Sequence, residues 1–178
     1  MKPFLTLITL LTILLTQPAH AQVQKVCFSP STCCEDNIVE LIQSSKNSID
    51  IAIYAFTNKK IYDALKEAKD KGIAIKIVTD KAQSKGKSSL VPALIDNGFD
   101  IRIKKKYRIE HNKFGIFDGK TVITGSYNWT ESATRNNSEN CLVEKRITVV
   151  RKYGKRFGEL WEMYGEREES EGSMGVSK

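Results

Sequence analysis

Residues 111–130 read HNKFGIFDGKTVITGSYNWT, two short apolar runs on either side of Asp118-Gly119. Asp-Gly tolerates the left-handed backbone that a two-residue hairpin turn requires, so 111–117 and 120–124 are predicted as paired antiparallel strands. His111 and Lys113 are two apart on the first strand, which sends both side chains to one face. Gly125, Ser126 and Asn128 follow the second strand. Glycine allows close backbone approach, while the hydroxyl and the amide supply neutral hydrogen-bond donors. A plain hairpin needs none of these polar groups. An imidazole, an ammonium, a hydroxyl and an amide converging on one point suit a tetrahedral anion, of which phosphate is the simplest.

Upstream of the hairpin, helical and strand periodicities alternate. Ile38, Leu41 and Ile42 recur at helical spacing over 35–46, and residues 48–56 (SIDIAIYAF) alternate as a strand. Asn58 caps a helix whose buried stripe is Ile61, Leu65 and Ala68 and which Gly72 ends. Residues 73–79 form the next strand, 88–97 a helix with Leu90, Val91, Leu94 and Ile95 on one face, and 99–103 a third strand. Beyond the hairpin, 140–145 is a further strand, and the last helix aligns Val150, Tyr153, Phe157, Leu160, Trp161 and Tyr164 with Arg151, Lys152, Lys155 and Arg156 facing away. Parallel βαβ units joined to an antiparallel hairpin make one α/β domain, a mixed β-sheet flanked by helices. No internal repeat is present.

The chain has 178 residues, of which 40% are hydrophobic, with 28 Lys plus Arg against 21 Asp plus Glu. That balance excludes a disordered acidic chain, a collagen-like repeat and a multi-span membrane protein. Residues 1–21 stand apart: Met1-Lys2, the apolar run FLTLITLLTILL at 4–15, Pro18 and Ala19-His20-Ala21 read as a secretory signal peptide cleaved after Ala21. The run is shorter than the ~18–20 apolar residues of a membrane span, although an uncleaved copy would associate the protein with a membrane. The expected location is periplasmic or secreted. Residues 165–178 carry Glu166, Glu168, Glu169 and Glu171 against Arg167 and Lys178, an acidic tail expected to be disordered, so the basic surplus falls on the domain at 22–164. A basic exported domain suits a polyanionic partner.

Cys27, Cys33, Cys34 and Cys141 are an even number in an exported chain, the context in which disulfides persist. Vicinal Cys33 and Cys34 are poorly placed to bridge each other, which leaves one local link to Cys27 and one long link to Cys141. A zinc site is the alternative, but only one histidine remains once residues 1–21 are removed.

The 111–128 stretch resembles the phospholipase D superfamily, whose signature is H-x-K, four residues, D, six residues, G-S-x-N. His111, Lys113, Asp118, Gly125, Ser126 and Asn128 meet every fixed position at that spacing, and Asn137 with Glu139-Asn140 resembles the family's downstream acidic segment. With one motif copy and a signal, the chain is most similar to the single-motif, periplasmic Nuc-type endonucleases. The resemblance implies a metal-independent and cofactor-free reaction through a phosphohistidine. A second histidine must act as acid, and after removal of His20 only His111 is left, which implies a homodimer with His111 from each copy at a shared centre. Lys113 and Asn128 would offset charge on the phosphate oxygens, Ser126 would add a hydrogen bond, and Glu139 would orient an imidazole. Asp118, out of phase with His111 and at the turn, reads as structural.

Arg102, Lys104, Lys105, Lys106 and Arg108 lead to His111 and fit an electrostatic approach for a nucleic-acid backbone, with Tyr107 and Trp129 as candidates to stack bases. The expected partner is therefore single- or double-stranded DNA, with RNA also eligible. A lipid phosphodiesterase using the same site, and a noncatalytic nucleic-acid binder, are the alternatives.

Overall fold

The computed structural model describes residues 24–103 and 106–165. The expectations for residues 1–21, Lys104, Lys105 and the acidic tail beyond Gly165 lie outside these. Seven strands form one mixed sheet in the order β1-β7-β6-β5-β2-β3-β4. They are β1 (Lys25–Ser29), β2 (Ser48–Ile53), β3 (Ala74–Thr79), β4 (Asp100–Ile103), β5 (Lys113–Phe117), β6 (Thr121–Gly125) and β7 (Glu139–Glu144). The helices are α1 (Cys33–Ser44), α2 (Lys59–Asp70), α3 (Lys81–Ser84), α4 (Val91–Asp96), α5 (Glu131–Arg135) and α6 (Ile147–Tyr164). β2, β3 and β4 run parallel, while β2, β5, β6, β7 and β1 pair antiparallel in succession.

Alternation along the strands divides the core between the two faces of the sheet. Ile49, Ile51 and Ile53 of β2 pack with Ile38 and Ile42 of α1, Ile61 and Leu65 of α2, and Leu94 of α4. On the other face, Ala52, Val78, Phe114, Ile116 and Val122 meet the apolar stripe of α6, from Val150 to Tyr164. Asn58 caps α2 by accepting from the Ile61 N–H at 3.0 Å. The helix predicted over 88–97 is shorter, because Pro92 opens it and Leu90 spends its N–H on the Phe56 carbonyl at 3.0 Å. The strand predicted from 111 starts at Lys113, and β1, α3 and α5 were not expected at all. These are four or five residues long, too short for a periodicity to show.

Cys27 and Cys141 sit opposite each other on β1 and β7. Each bonds to one of the vicinal pair at the start of α1: Cys27–Cys33 and Cys34–Cys141. The Cys34–Cys141 bond spans 107 residues, so its removal by a double serine variant is expected to cost about 2–5 kcal/mol, read from urea unfolding.

At the β5–β6 turn, Asp118 and Gly119 both have positive φ, 52° and 61°, as a type I′ turn requires. The Asp118 carboxylate accepts from the backbone N–H groups of Lys46, Asn47 and Ser48 at 2.7–3.1 Å, while its own N–H donates to the Ser48 carbonyl. Burial pushes this carboxyl up, but the backbone hydrogen bonds from Ser48, Asn47 and Lys46 together outweigh it and hold the group below its ordinary value of 3.8. A depressed folded value adds stability above the unfolded carboxylate range, and that stability is lost as pH falls through the folded value. Asp118→Asn is therefore expected to lose about 1–2 kcal/mol at pH 7 and to approach the parent protein as pH falls through the folded carboxyl value, measured by denaturant midpoints at neutral and acidic pH.

Candidate active site

The carboxyl ends of β2, β3 and β4 share one edge of the sheet with the start of antiparallel β5, the end of β6 and the start of β7. This is the edge at which open α/β sheets bind ligands. His111, Lys113, Gly125, Ser126, Asn128 and Glu139 line a cleft of about 350 Å³ here. Asp118, at the opposite end of the hairpin, is not part of it. Its five-residue strand separates it from the cleft, and its contacts are those of a structural anchor.

Lys113 is only 8% exposed. Its Nζ donates to the His111 carbonyl at 2.7 Å and lies 5.1 Å above the Tyr54 ring. Burial lowers the pKa of this ammonium, and the charges of Glu139 and Glu110 act against that shift. The result is a cation with little water of its own, whose field reaches an anion in the cleft with less screening than a surface lysine's would. The exposed His111 ring packs edge-on against Tyr54, with ring centroids 4.5 Å apart.

The GSYN segment is shaped by close approach. An added Cβ on Gly125 would sit 2.2 Å from the Asn140 carbonyl oxygen, the atom that also accepts from the Ser126 and Tyr127 N–H groups at 3.1 and 3.2 Å. Ser126 Oγ donates to Glu139 at 2.5 Å and accepts from the Asn140 N–H at 3.1 Å. The serine proton is thus committed to Glu139, and the other Glu139 oxygen accepts from Asn137 Nδ2 at 3.0 Å. Within one chain Glu139 is held by Ser126 and Asn137 and makes no hydrogen bond to His111 among those of the described residues. Asn128 Oδ1 accepts from the Ala55 N–H at 3.4 Å, which leaves its NH₂ to donate. The loop is fastened from beneath by Tyr127, whose hydroxyl bonds Thr134 in a buried network with Glu35 and Asn58.

Two expected substrate contacts are elsewhere. Trp129 is 2% exposed, stands edge-on to Phe56 and fills the space above Gly115, where a Cβ would come within 3.2 Å of its ring. It is core, and cannot stack a base. Arg102 lies on β4 with its guanidinium 4.0 Å from the Trp161 ring centroid and donating to the Trp161 carbonyl at 2.6 Å, so it secures α6 and does not lead to the cleft. Lys106, Tyr107 and Arg108 are exposed before His111, with Arg156 over the Tyr107 ring at 5.6 Å. The residues that sequence reasoning missed are Tyr54, which lies 57 positions before His111, and Glu110, a single carboxylate just after the basic run. Among the described residues no group of three or more His, Cys, Asp or Glu is placed to hold a metal ion, and no helix is long and apolar enough to cross a membrane.

A mixed sheet presenting a buried lysine, a histidine and an asparagine in one cleft defines an α/β protein built for phosphodiester chemistry. A family model described as "Cardiolipin synthase, PLD-like domain" matches residues 38–161, and the chain belongs to the phospholipase D superfamily. His111, Lys113, Gly125, Ser126 and Asn128, which line the cleft, stand at the positions of this superfamily's signature. The solved structure of Nuc from Salmonella typhimurium, a phospholipase D family member, is 30% identical and superposes with a TM-score of 0.77, covering 83% of this chain and 99% of that one. A "Phospholipase D" of Rickettsia bellii is 36% identical over 71% of this chain and 63% of its own length. A "Mitochondrial cardiolipin hydrolase" of Chlamydomonas reinhardtii is 27% identical over 83% of this chain. The chain spans 66% of that relative and 56% of the one from Danio rerio.

Gly125→Ala is expected to force the GSYN segment off Asn140, lowering kcat/KM on any phosphodiester by roughly 100-fold, with a lower melting temperature. Steady-state kinetics and thermal unfolding of the same sample check both.

Proposed function

We propose that this protein is an exported, metal-independent endonuclease that hydrolyses phosphodiester bonds of DNA, and of RNA where it meets it, as a homodimer. The observation that carries the reading is the cleft in which His111, Lys113 and Asn128 meet, in a chain whose one other histidine, His20, lies in the signal-like segment. One neutral His111 attacks phosphorus, forming the N–P bond as the P–O3′ bond breaks. The His111 of a second copy, protonated, gives its proton to the departing 3′ oxygen. Water, giving a proton back to that now-neutral second imidazole, then attacks the phosphohistidine, the N–P bond breaks, and a 5′-phosphate leaves. Two Lys113 ammonium groups and two Asn128 amides offset the charge that builds on the phosphate oxygens, the role a divalent ion takes in two-metal nucleases. Ser126 holds Glu139 beside the cleft, where its carboxylate favours the cationic form of Lys113 and is placed to orient an imidazole of the second copy. Lys106, Tyr107 and Arg108, with Lys104 and Lys105, form the approach for the phosphate backbone.

The second reading is a lipid phosphodiesterase. It is favoured by the names of the relatives, "Mitochondrial cardiolipin hydrolase" and "Phospholipase D". The cleft lining supports nucleic acid over lipid, since the described residues that form it are polar and charged side chains with glycine. Export to the periplasm or beyond follows from the N-terminal segment, which if retained would instead hold the protein at a membrane.

Hydrolysis of single- and double-stranded DNA with and without EDTA, by the protein and by His111→Ala, with phosphatidylcholine and cardiolipin vesicles alongside, tests the proposal. The expected result is EDTA-resistant DNA cleavage that falls at least 1,000-fold, on the order of the loss of a catalytic nucleophile, in the variant. Lipid hydrolysis without DNA cleavage would replace the nuclease with the second reading, and an active monomer in sedimentation would sink the two-histidine scheme.

A further inference from the structure

His111 lies outside the β ladder: β5 begins at Lys113, so no strand pairing holds the histidine's backbone in place. A reacting group must nevertheless be held within a fraction of an ångström. The restraint has to come from side chains, and beside the Lys113 ammonium on the His111 carbonyl the structure contains a further set, none of which touches substrate in the proposed reaction. The Asp80 carboxylate, at the end of β3, caps α3 by accepting from the Ala82 and Gln83 N–H groups at 2.9 and 3.2 Å through Oδ1. Its Oδ2 accepts from the Glu110 N–H at 3.0 Å. Gln83 Nε2 donates to the Tyr54 hydroxyl at 3.1 Å, and the Tyr54 ring abuts His111. Glu110 Oε1 accepts from the N–H and the amide of Asn112 at 3.0 and 2.6 Å, and Glu110 Oε2 accepts from the Tyr164 hydroxyl.

The contacts close a ring from His111 through Tyr54, Gln83, Asp80 and Glu110 back to His111, with Tyr164 tying it to α6. Asp80 and Glu110 are each 1% exposed, and the hydrogen bonds they accept come from neutral groups: backbone N–H, a phenol and an amide. Two carboxylates buried on such partners are costly compared with apolar side chains in the same volume. Their place on both sides of His111's backbone is where that cost has a functional return.

We propose that Tyr54, Gln83, Asp80 and Glu110 are positioning residues that hold the His111 imidazole and the chain that carries it at the cleft, so that α3 reaches the reaction through Tyr54 without touching substrate. This rests on His111 being the reacting imidazole.

The test uses the whole chain carrying His20→Gln, in which His111 is the sole histidine and gives the sole imidazole signal in NMR. Gln83→Ala breaks the ring of contacts at a half-buried residue of a four-residue helix and leaves the backbone N–H that Asp80 caps in place. Tyr54→Leu removes the ring that abuts His111, and Tyr54→Phe keeps that ring and loses only the Gln83 bond. In Gln83→Ala and Tyr54→Leu the His111 signal is expected to move and broaden. Turnover of bis(p-nitrophenyl) phosphate, a probe indifferent to nucleic acid or lipid, should fall roughly 10- to 100-fold in kcat with KM and melting temperature unchanged. Tyr54→Phe should recover most of the Tyr54→Leu loss. Unaltered imidazole signals in Gln83→Ala and Tyr54→Leu would overturn the proposal, as would a kcat loss that appears only with a lowered melting temperature. If the parent chain did not turn the probe over, the imidazole signals alone would decide on the ring of contacts, and it is the catalytic reading of His111 that would fail.

Discussion

One carboxylate, that of Asp118, ties the β5–β6 hairpin to the chain entering β2 by collecting the N–H groups of Lys46, Asn47 and Ser48. The register Ile53↔Lys113 follows from that anchor. In a strand, a slip of one residue sends every side chain to the other face. Lys113 would then leave the cleft for the α6 side, and Gly115 would no longer lie under Trp129. The motif aspartate thus serves the site from the far end of the hairpin, through geometry, and takes no part in its electrostatics.

At the near end, charge is arranged around a lysine whose pKa burial lowers. Glu139 and Glu110 flank it in the electrostatic sense, and neither touches its ammonium, which is bonded to the His111 carbonyl. That leaves the face of the cation toward the cleft available to a phosphate. Ser126 has a supporting part: its hydroxyl proton goes to Glu139 and its lone pair to the Asn140 N–H, so it fixes the acid. The glycine before it permits the 125–128 backbone to lie against Asn140, and the disulfide between Cys34 and Cys141 secures the strand from which Asn140 comes.

Much of this was legible in advance because it is local. The Asp118-Gly119 turn, the Asn58 cap, the alternation of β2 and the stripe of α6 each depend on neighbours within a few residues. The spacing from His111 to Asn128 is likewise a matter of one hairpin. The elements that escaped, β1, α3 and α5, are short: β1 owes its existence to pairing with β7, while α3 and α5, although capped locally by Asp80 and Thr130, are too brief to show a periodic stripe. Trp129 and Arg102 were misplaced for a related reason. An aromatic beside the motif asparagine and a cation beside a lysine run look like ligand contacts in one dimension, while the fold turns one into the Gly115 gap and the other toward Trp161.

The chain's own order of residues determined the α/β class, the family and the group of side chains able to meet a phosphate, because hairpin chemistry and strand period act over distances a sequence displays. Which polar groups surround that site was decided by the tertiary structure alone. Tyr54 from the end of β2, Gln83 from α3, Glu110 from the preceding loop and Tyr164 from the end of α6 are brought to His111 by the parallel crossovers and by the packing of α6 across the sheet. The physical reason is that hydrogen bonds and ring contacts of this kind act over 3–5 Å, while the residues that make them are separated along the chain by up to the length of the domain.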